Sequence, residues 1–154
     1  MKKLLLLIFF VSVCSNSFAQ KIIKLTEGKD VISAAYDSAQ AGDIIELVTS
    51  GGTYEETSDF VVAKDKPVTI RAAEGLDDKP RWYSTAGWCL IILADNLTLD
   101  GIVLDGVLGT GTREAIIRGA EPEWHEIKTD ANLKISNCEF INAGYGIYGE
   151  DQNR

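Results

Sequence analysis

Residues 96–106 read NLTLDGIVLDG and align without a gap on NLKISNCEFIN at residues 132–142, an offset of 36 residues. A weaker copy, VTIR at residues 68–71, precedes the first by 29 residues. Each strong copy has two short apolar segments on either side of a two-residue corner, which suits strands rather than helices. A small unit that recurs every few tens of residues indicates a solenoid, in which each coil stacks on the coil before it.

The corner of the repeat indicates how the chain turns. Its second residue is Gly101 in one copy and Asn137 in the other, and these two residue types most readily adopt a positive φ. We therefore predict a left-handed backbone conformation here and, from the stacked repeats, an all-β fold, a right-handed parallel β-helix. The alternative is an antiparallel β-sandwich. It would need hairpin signals between its strands, and Asp100-Gly101 is such a signal only if Asn137 is ignored.

Further strands and loops fill the intervals between the repeats. The additional strand of each coil is predicted at Trp88–Ala94 and at Ala115–Arg118, and one more strand at Gly144–Gly149. The remaining length is assigned to loops at residues 74–86, 106–113 and 121–131. Loops that project from one side of a solenoid usually form its binding face, so we expect a ligand to bind there.

The segment before the repeats predicts a short helix between two strands, Ile22–Leu25 and Ile44–Val48. Asp30 stands at the N-cap position, and Gly42 provides the turn after the helix. The helix would cap the front of the solenoid. No comparable segment follows the last predicted strand, although a solenoid needs a cap at each end. We therefore expect residues 20–154 to be the cap and first coils of a longer β-helix, truncated at its C-terminus.

The first 19 residues have the pattern of a secretory signal peptide. Two lysines precede an apolar run, and a small-x-small cleavage site follows it: Lys2, Lys3, Leu4–Val13, Ser17–Ala19 and Gln20. The run is too short to span a bilayer, and no later run approaches about 20 residues. The prediction is a secreted or periplasmic protein without a membrane span. Val13 does not fit the small residue that precedes a lipoprotein cysteine, which argues against lipidation at Cys14.

Composition and net charge limit the classes of molecule that this protein is expected to bind. The chain has 154 residues, of which 45% are hydrophobic, and this suits a single globular domain. It carries 15 basic and 23 acidic residues, a net charge of −8, which argues against nucleic acid and anionic membranes as partners.

Cys89 and Cys138 have no metal-ligand spacing. Export would permit a disulfide between them, and two buried free thiols are the alternative.

The order of motifs around the helix resembles that of a known family. The stretches AQAGDIIEL, GGTY and KPVTIRA follow one another at residues 39–47, 51–54 and 66–72. This arrangement resembles the N-terminal entry of pectate-lyase-like β-helix proteins. It is closest to the chondroitinase B and alginate lyase group, polysaccharide lyase family six, and to uncharacterised relatives of Bacteroidetes type. The similarity extends from Val31 to Asn142.

The resemblance implies a glycan-directed role. Lyases of this group remove the proton α to a uronate carboxyl with a Lys and Arg pair, often with calcium on the carboxylate. In the family those residues lie in later coils than this chain contains. The resemblance thus implies an acidic polysaccharide as partner, calcium as a cofactor to consider, and catalytic residues mostly outside this chain. The rival interpretation is a non-catalytic glycan-binding or cell-surface scaffold module, so the sequence leaves open whether the protein is an enzyme.

Three charged residues are candidates for catalysis: Arg113, Arg118 and His125. An arginine pair could hold an acidic sugar, and His125, the only histidine, could titrate near neutrality. The ordinary alternatives are surface ion pairs with Glu114 and Glu121 and a solvated loop histidine.

Three aromatic residues are candidates for substrate binding: Trp82, Tyr83 and Trp124. Aromatic side chains offer flat faces with a polar edge, on which sugar rings can stack, and all three fall in predicted loops. Packing of a loop over a coil is the alternative. Acidic pairs such as Asp77-Asp78 lack the spacing of a calcium-binding loop, so no metal ligand is assigned.

Overall fold

The computed structural model of the chain describes residues 20–85, 88–108, 111–120, 126 and 131–149, without the side chains of 108 and 111–114. Within this part of the chain no helix is long and apolar enough to cross a membrane. The elements in chain order are β1 (Ile22–Leu25), β2 (Gly28–Lys29), α1 (Val31–Ser38), β3 (Ile44–Leu47), β4 (Thr53–Glu56), β5 (Phe60–Val62), β6 (Val68–Ala72), β7 (Arg81–Ser84), β8 (Ile91–Leu93), β9 (Leu97–Asp100), β10 (Val103–Asp105), β11 (Val107–Leu108), β12 (Gly111–Gly119), β13 (Leu133–Ser136), β14 (Glu139–Ile141) and β15 (Ala143–Tyr148).

The strands form three sheets that the chain visits in turn. Sheet A has the order β1-β3-β6-β9-β13, and sheet B the order β2-β4-β7-β10-β14. Sheet C contains β5, β8, β12 and β15. Every pairing between successive coils is parallel, and only β11 pairs antiparallel, with β12 of its own coil, among the described residues. The predicted parallel β-helix is confirmed, and the sandwich is excluded because its sheets would be antiparallel.

Residues that align in the sequence repeat pair with each other across the sheets. Leu97 pairs with Leu133 in sheet A, and Val103 pairs with Glu139 in sheet B, as the offset of 36 predicts. The weaker copy is also in register, since Val68 pairs with Leu97. Parallel stacking places equivalent residues directly above one another, so an internal alignment of the sequence is also an alignment of strands.

The corner of the repeat has the predicted conformation. Gly101 has a φ of 73° and Asn137 a φ of 52°. A Cβ on Gly101 would lie 3.1 Å from the Cβ of Ala72 in the coil before, so glycine also relieves a close approach. Asn137 makes use of its side chain, because its amide donates to the Asp100 carboxylate at 2.9 Å.

Inward-facing apolar side chains fill the coils. Tyr36, Phe60 and Trp82 form an aromatic column with edge-to-face contacts, in which ring centroids are 5.0 Å apart for the first pair and 5.1 Å for the second. Such pairs add about 0.5–1.5 kcal/mol beyond the burial of their area. The other large and fully buried side chains are Tyr54, Ile32, Ile45, Leu47, Ile70, Leu90, Ile91, Leu97 and Leu99.

Helix α1 covers the first end of this core. Its buried residues are Ile32, Ala35 and Tyr36. The Tyr36 hydroxyl accepts a hydrogen bond from the N–H of Ala63 at 2.9 Å and donates to the carbonyl of Lys66 at 3.0 Å. The helix thus closes the core with apolar side chains and satisfies two backbone groups of the neighbouring turn.

Asp30 does not cap α1 with its side chain, contrary to the sequence prediction. Its φ of 55° lies in the left-handed region, and it makes no side-chain hydrogen bond to the helix. Its carboxylate instead accepts hydrogen bonds from the backbone N–H and the hydroxyl of Thr57, at 2.7 and 2.8 Å. The position of Thr57 after β4 explains the error, because the competing partner belongs to the next coil.

Two of the three predicted loops contain strands. Residues 74–86 include β7, whose alternation buries Trp82 and Ser84 and turns Arg81 and Tyr83 towards the outside. Residues 106–113 include β11 and the start of β12, which pair as a short hairpin. A polar stretch, DDKP at residues 77–80, precedes β7 and hides its strand pattern. Of residues 121–131, only Glu126 and Ala131 are described.

A buried carboxyl joins α1 to the second coil. Glu56 is fully buried, and it accepts hydrogen bonds from the Ser33 hydroxyl and from the Ser33 N–H, the latter at 3.3 Å. Burial raises the pKa of Glu56 above its ordinary value of 4.5, although the Ser33 hydrogen bonds partly oppose this. The folded state therefore holds the proton more tightly than the unfolded state does.

We expect the stability contribution of Glu56 to be greatest below about pH 4, near its unfolded pKa, and to be lost as the pH rises through its folded pKa. Glu56→Gln has no such titration. The variant should therefore gain stability relative to the wild type as the pH rises from about 4 to 7. Urea unfolding of both proteins across this range measures the difference, and a constant or shrinking gain would contradict the raised pKa.

Candidate functional site

The catalytic candidates do not form one cluster among the described residues. Arg118 lies on β12 in sheet C, next to Ile117, which is buried. Arg113 lies on the same strand and pairs with Ala143, but its side chain is outside the description. His125 is also outside the described residues, as is the aromatic candidate Trp124. Arg118 is thus the one catalytic candidate whose surroundings the structure describes.

Trp82 is placed in the core and not in a projecting loop. Its side chain is fully buried between the sheets, and its ring packs against Phe60. A ring without exposed area cannot stack on a sugar at the surface, so the expected binding role of Trp82 is wrong. The error has the same cause as the missed strand β7, because alternation along that strand turns Trp82 inwards.

Tyr83 faces outwards and takes part in a polar ladder on sheet B. Its hydroxyl donates to the Glu55 carboxylate at 3.1 Å, and Glu55 forms an ion pair with Lys29 at 3.2 Å. The Arg81 guanidinium lies 4.7 Å from the Tyr83 ring centroid. Burial and the hydrogen bond to Glu55 raise the pKa of Tyr83. These contacts link successive coils and indicate a structural role for Tyr83.

The same sheet contains a buried carboxylate, Asp105, which is 1% exposed. It accepts hydrogen bonds from Arg81 Nε at 2.6 Å, from the N–H of Val107 at 2.9 Å and from the Asn142 amide at 2.9 Å. Burial opposes ionisation, but these donors outweigh it and hold the pKa of Asp105 below its ordinary value. The donors come from three coils, so this carboxylate links the coils to one another. Its role is structural, and it is not a general base.

Sheet C carries a different surface, which we call the aromatic–arginine cluster: Trp88, Arg118, Tyr145 and Tyr148. The Arg118 guanidinium carbon lies 3.9 Å from the Trp88 ring centroid and 5.2 Å from that of Tyr148. The rings of Tyr145 and Tyr148 are 6.1 Å apart at an angle of 49°. Tyr145 is 55% exposed, although it pairs with the buried Ala115, because β15 is the last described strand of sheet C. Trp88 is 59% exposed. The Arg118 guanidinium therefore stacks on the exposed ring of Trp88 and lies near the half-buried ring of Tyr148.

The fold brings this cluster together from three coils. Sheet register places Val61, Ile92, Arg118 and Tyr148 in one row across β5, β8, β12 and β15. The turn before β8 is fixed by Asp59, whose carboxylate accepts the backbone N–H groups of Trp88 at 2.7 Å and Cys89 at 3.0 Å. Strand pairing therefore sets the positions of Arg118 and Tyr148, and the Asp59 hydrogen bonds set the position of the turn that carries Trp88.

A shallow groove of about 220 Å³ lies on the same face, beyond Val61 in this row. It is lined by Val61, Ala63, Lys64, Ala94 and Glu126, and the last of these forms an ion pair with Lys64 at 3.4 Å. The outer face of sheet C thus offers an apolar groove at one end and the aromatic–arginine cluster at the other.

The cluster has the chemistry of a sugar-binding surface with one cationic contact. Aromatic faces pack against the apolar faces of sugars, and a guanidinium recognises a carboxylate with two parallel hydrogen bonds.

The described residues contain no group of three or more His, Cys, Asp and Glu side chains that could hold a metal ion. Cys89 and Cys138 are both free thiols, Cys89 buried and Cys138 half-buried, and burial raises the pKa of the latter.

The sequence analysis identifies Arg118 and misses the tyrosine beside it. Trp88, which starts a predicted strand, also has an aromatic face on which a sugar ring could stack, whereas Tyr145 and Tyr148 fall in a predicted strand without an assigned role. The signal that could have found them is the register: once Ile117 is aligned with Ile147, Arg118 meets Tyr148 directly. Loops of unequal length separate these strands, so the alignment is harder to see here than in sheet A.

No protein-family model and no curated protein matches the sequence. Among solved structures, the fold matches that of the PL6 family alginate lyase AlyGC with a TM-score of 0.67 and 25% sequence identity. The match covers 87% of this chain and 18% of that chain, so this chain spans less than a fifth of the lyase. The resemblance to polysaccharide lyase family six that the sequence indicates is thus confirmed by the structure.

Proposed function

We propose that this chain is the N-terminal part of an exported β-helix protein that acts on polysaccharide and cleaves uronate-containing glycans by β-elimination. The observation that carries the proposal is the match to an alginate lyase over 87% of the chain. Fold alone does not imply function, and the exposed Trp88 ring adds an aromatic face that is suited to a sugar. The signal-peptide pattern of residues 1–19 supports export.

β-Elimination at a uronate requires a base that takes the proton α to the carboxyl and a cation that stabilises the resulting enolate. The bond to the glycosidic oxygen then breaks, a double bond forms in the sugar ring, and the leaving oxygen takes a proton. The described part of the cluster contains no Lys, His, Asp or Glu that could take this proton, so we assign the proton-transfer residues to coils beyond this chain.

Calcium, which the resemblance implies, has no candidate set of ligands in the described ranges, and no step is assigned to it. The continuation of the β-helix is supported by the fifth coil. Its core-facing residues Leu133, Ile135 and Phe140 are only partly buried, as expected where a further coil would stack.

We expect the full-length exported protein to cleave alginate or another uronate polymer and to release products with the ultraviolet absorbance of an unsaturated uronate. Intact mass should exceed that of the 154-residue sequence. The matched control is the same polymer with its carboxyls reduced to alcohols, which cannot undergo the elimination. Absence of unsaturated product from every uronate polymer tested would contradict the lyase proposal.

The second candidate is a glycan-binding module without catalysis. It is favoured by one observation: the aromatic–arginine cluster has rings and a cation, but no Lys, His, Asp or Glu among its described members. The same experiment separates the two, because a module would retain the polymer on a column without forming a double bond.

A further inference from the structure

Glu56 on β4 is a buried carboxyl that the proposed function does not use. We propose that it makes the cap helix α1 pH-sensitive: while the carboxyl is protonated α1 stays closed over the core, and loss of the proton loosens α1 from the second coil. The inference does not rest on the proposed activity. It concerns the capped end of the solenoid and applies to a lyase and to a binding module alike.

Helix α1 depends on tertiary contacts for its stability. It has eight residues, and its N-terminus has no side-chain cap. An isolated helix of this length is unstable in water. It is held by its buried side chains Ile32, Ala35 and Tyr36 and by the Glu56 carboxyl at its first turn. A change that weakens the Glu56 contact should therefore act first on this helix.

The Glu56 carboxyl takes the place of the missing cap. One of its oxygens accepts the Ser33 N–H at 3.3 Å, and the other accepts the Ser33 hydroxyl. The first N–H groups of a helix have no partner within the helix itself, so a group from outside must satisfy them. Because Glu56 belongs to β4, this contact fastens the start of α1 to the second coil.

Other acidic groups stand close to Glu56. The Asp30 N–H donates to the carbonyl of Glu55 at 2.7 Å, and its carboxylate accepts two hydrogen bonds from Thr57 at 2.7 and 2.8 Å. Asp30 is thus bound to both sequence neighbours of Glu56, and its charge raises the pKa of Glu56. Asp37, near the end of α1, is exposed and acidic as well.

The strands around Glu56 do not neutralise it. Lys29 on β2 forms its ion pair with Glu55, at 3.2 Å. On β7 the residue paired with Glu56 is Ser84, which is neutral. Asp59, before β5, accepts two backbone N–H groups of the turn before β8. No ion pair within the described ranges includes Glu56, and a buried carboxylate without a cation is costly.

The sign of the effect follows from burial. Burial is the largest cause that raises the pKa of Glu56, and the Ser33 hydrogen bonds oppose it only in part. The stabilisation of the closed cap is therefore complete below about pH 4 and is lost as the pH rises through the folded pKa. Opening lets the ionised carboxylate reach water. It also uncovers the Phe60 ring, whose centroid lies 5.0 Å from that of Tyr36.

The test is amide hydrogen exchange of the full-length protein at low urea concentrations, expressed as protection factors to remove the direct effect of pH on exchange. We expect the protection of α1 to fall at least about fivefold between about pH 4 and 7. At pH 7 its dependence on urea should be weaker than that of β9, because a local opening exposes less surface than global unfolding.

Two variants identify the group responsible. Glu56→Gln should reduce the fall to less than about twofold, because an amide does not titrate in this range. The matched control is Glu55→Gln, which removes the adjacent carboxyl, half-buried on the outer face of the same strand, and should leave the fall unchanged.

Three results would overturn the proposal. They are a protection of α1 that stays constant from about pH 4 to 7, a fall that persists in Glu56→Gln, and a urea dependence at pH 7 equal to that of β9, since the cap would then open only with the whole domain. If Glu56→Gln does not fold, Asp30→Asn decides. This variant retains an acceptor for Thr57 and removes the charge beside Glu56, so the fall should shrink, and an unchanged fall would count against Glu56 as its source.

Discussion

Trp82→Ala should lower the free energy of unfolding by about 3–5 kcal/mol, the range for removing a large aromatic side chain from a packed core. Trp82 is fully buried and closes the aromatic column that begins at Tyr36 on the cap helix and passes through Phe60. Its loss leaves a cavity next to Phe60 and weakens the stacking of the second and third coils. Urea unfolding followed by far-ultraviolet circular dichroism measures the effect without relying on tryptophan fluorescence.

The chain offers its own matched control in Trp88, which is 59% exposed. Trp88→Ala should cost less than about 1 kcal/mol, since it loses a cation–π contact and little burial. Trp82→Phe should be milder than Trp82→Ala, because it retains a ring and removes an indole N–H that has no hydrogen-bond partner among the described residues. Equal destabilisation by the alanine variants at both tryptophans would show that the assigned burial is wrong.

Asp105→Ala should destabilise the fold by about 2–4 kcal/mol, because it removes a buried carboxylate and leaves its hydrogen-bond donors without an acceptor. The lost interactions are those with Arg81, Val107 and Asn142, which connect the third, fourth and fifth coils. Asp100→Ala is the matched control. Asp100 is half-buried on sheet A and accepts the Asn137 amide at 2.9 Å, so we expect a loss of less than about 1 kcal/mol.

The pH dependence of the Asp105 effect has a definite sign. Its folded pKa is lowered from an ordinary value of 3.8, so its contribution is present above that value and is lost as the pH falls through the folded pKa. The stability difference between the wild type and Asp105→Ala should therefore shrink in acid. This is opposite to the behaviour expected of Glu56, and urea unfolding at acid and neutral pH separates the two carboxyls. A difference that stays constant into strong acid would refute the lowered pKa.

The sequence analysis predicts the fold correctly at the repeated corner. Stacked coils repeat the same local conformation there, so a few aligned residues are enough to recognise it. A corner of Gly101 over Asn137 can be recognised from two aligned stretches, because only a positive φ suits both residue types. It fails at β7, where a four-residue strand follows the polar stretch at 77–80, and at Asp30, whose partner Thr57 belongs to another coil. In both cases the deciding contact is made with a residue more than 20 positions away.

The candidate site, too, could be predicted from the sequence only in part. Arg118 can be selected from the sequence as a cation beside a predicted loop, whereas its location between Trp88 and Tyr148 depends on the pairing of β8, β12 and β15. The roles of Arg113, His125 and Trp124 remain predictions. Trp82 and Tyr83 show the limit of composition, since the two aromatic neighbours point to opposite sides of one strand and only Trp82 enters the core.

By itself, the sequence determined the parallel β-helix and the register of its first sheet, because a solenoid repeats one local conformation and stacks like residues on like. It also determined the resemblance to polysaccharide lyase family six. Tertiary structure alone decided which aromatic residues are buried and which surround Arg118. The physical reason is that the coils lengthen from 22 residues between Ile22 and Ile44 to 36 between Leu97 and Leu133. Inserts of unequal length set which outward side chains meet across sheet C, and no local pattern encodes that meeting.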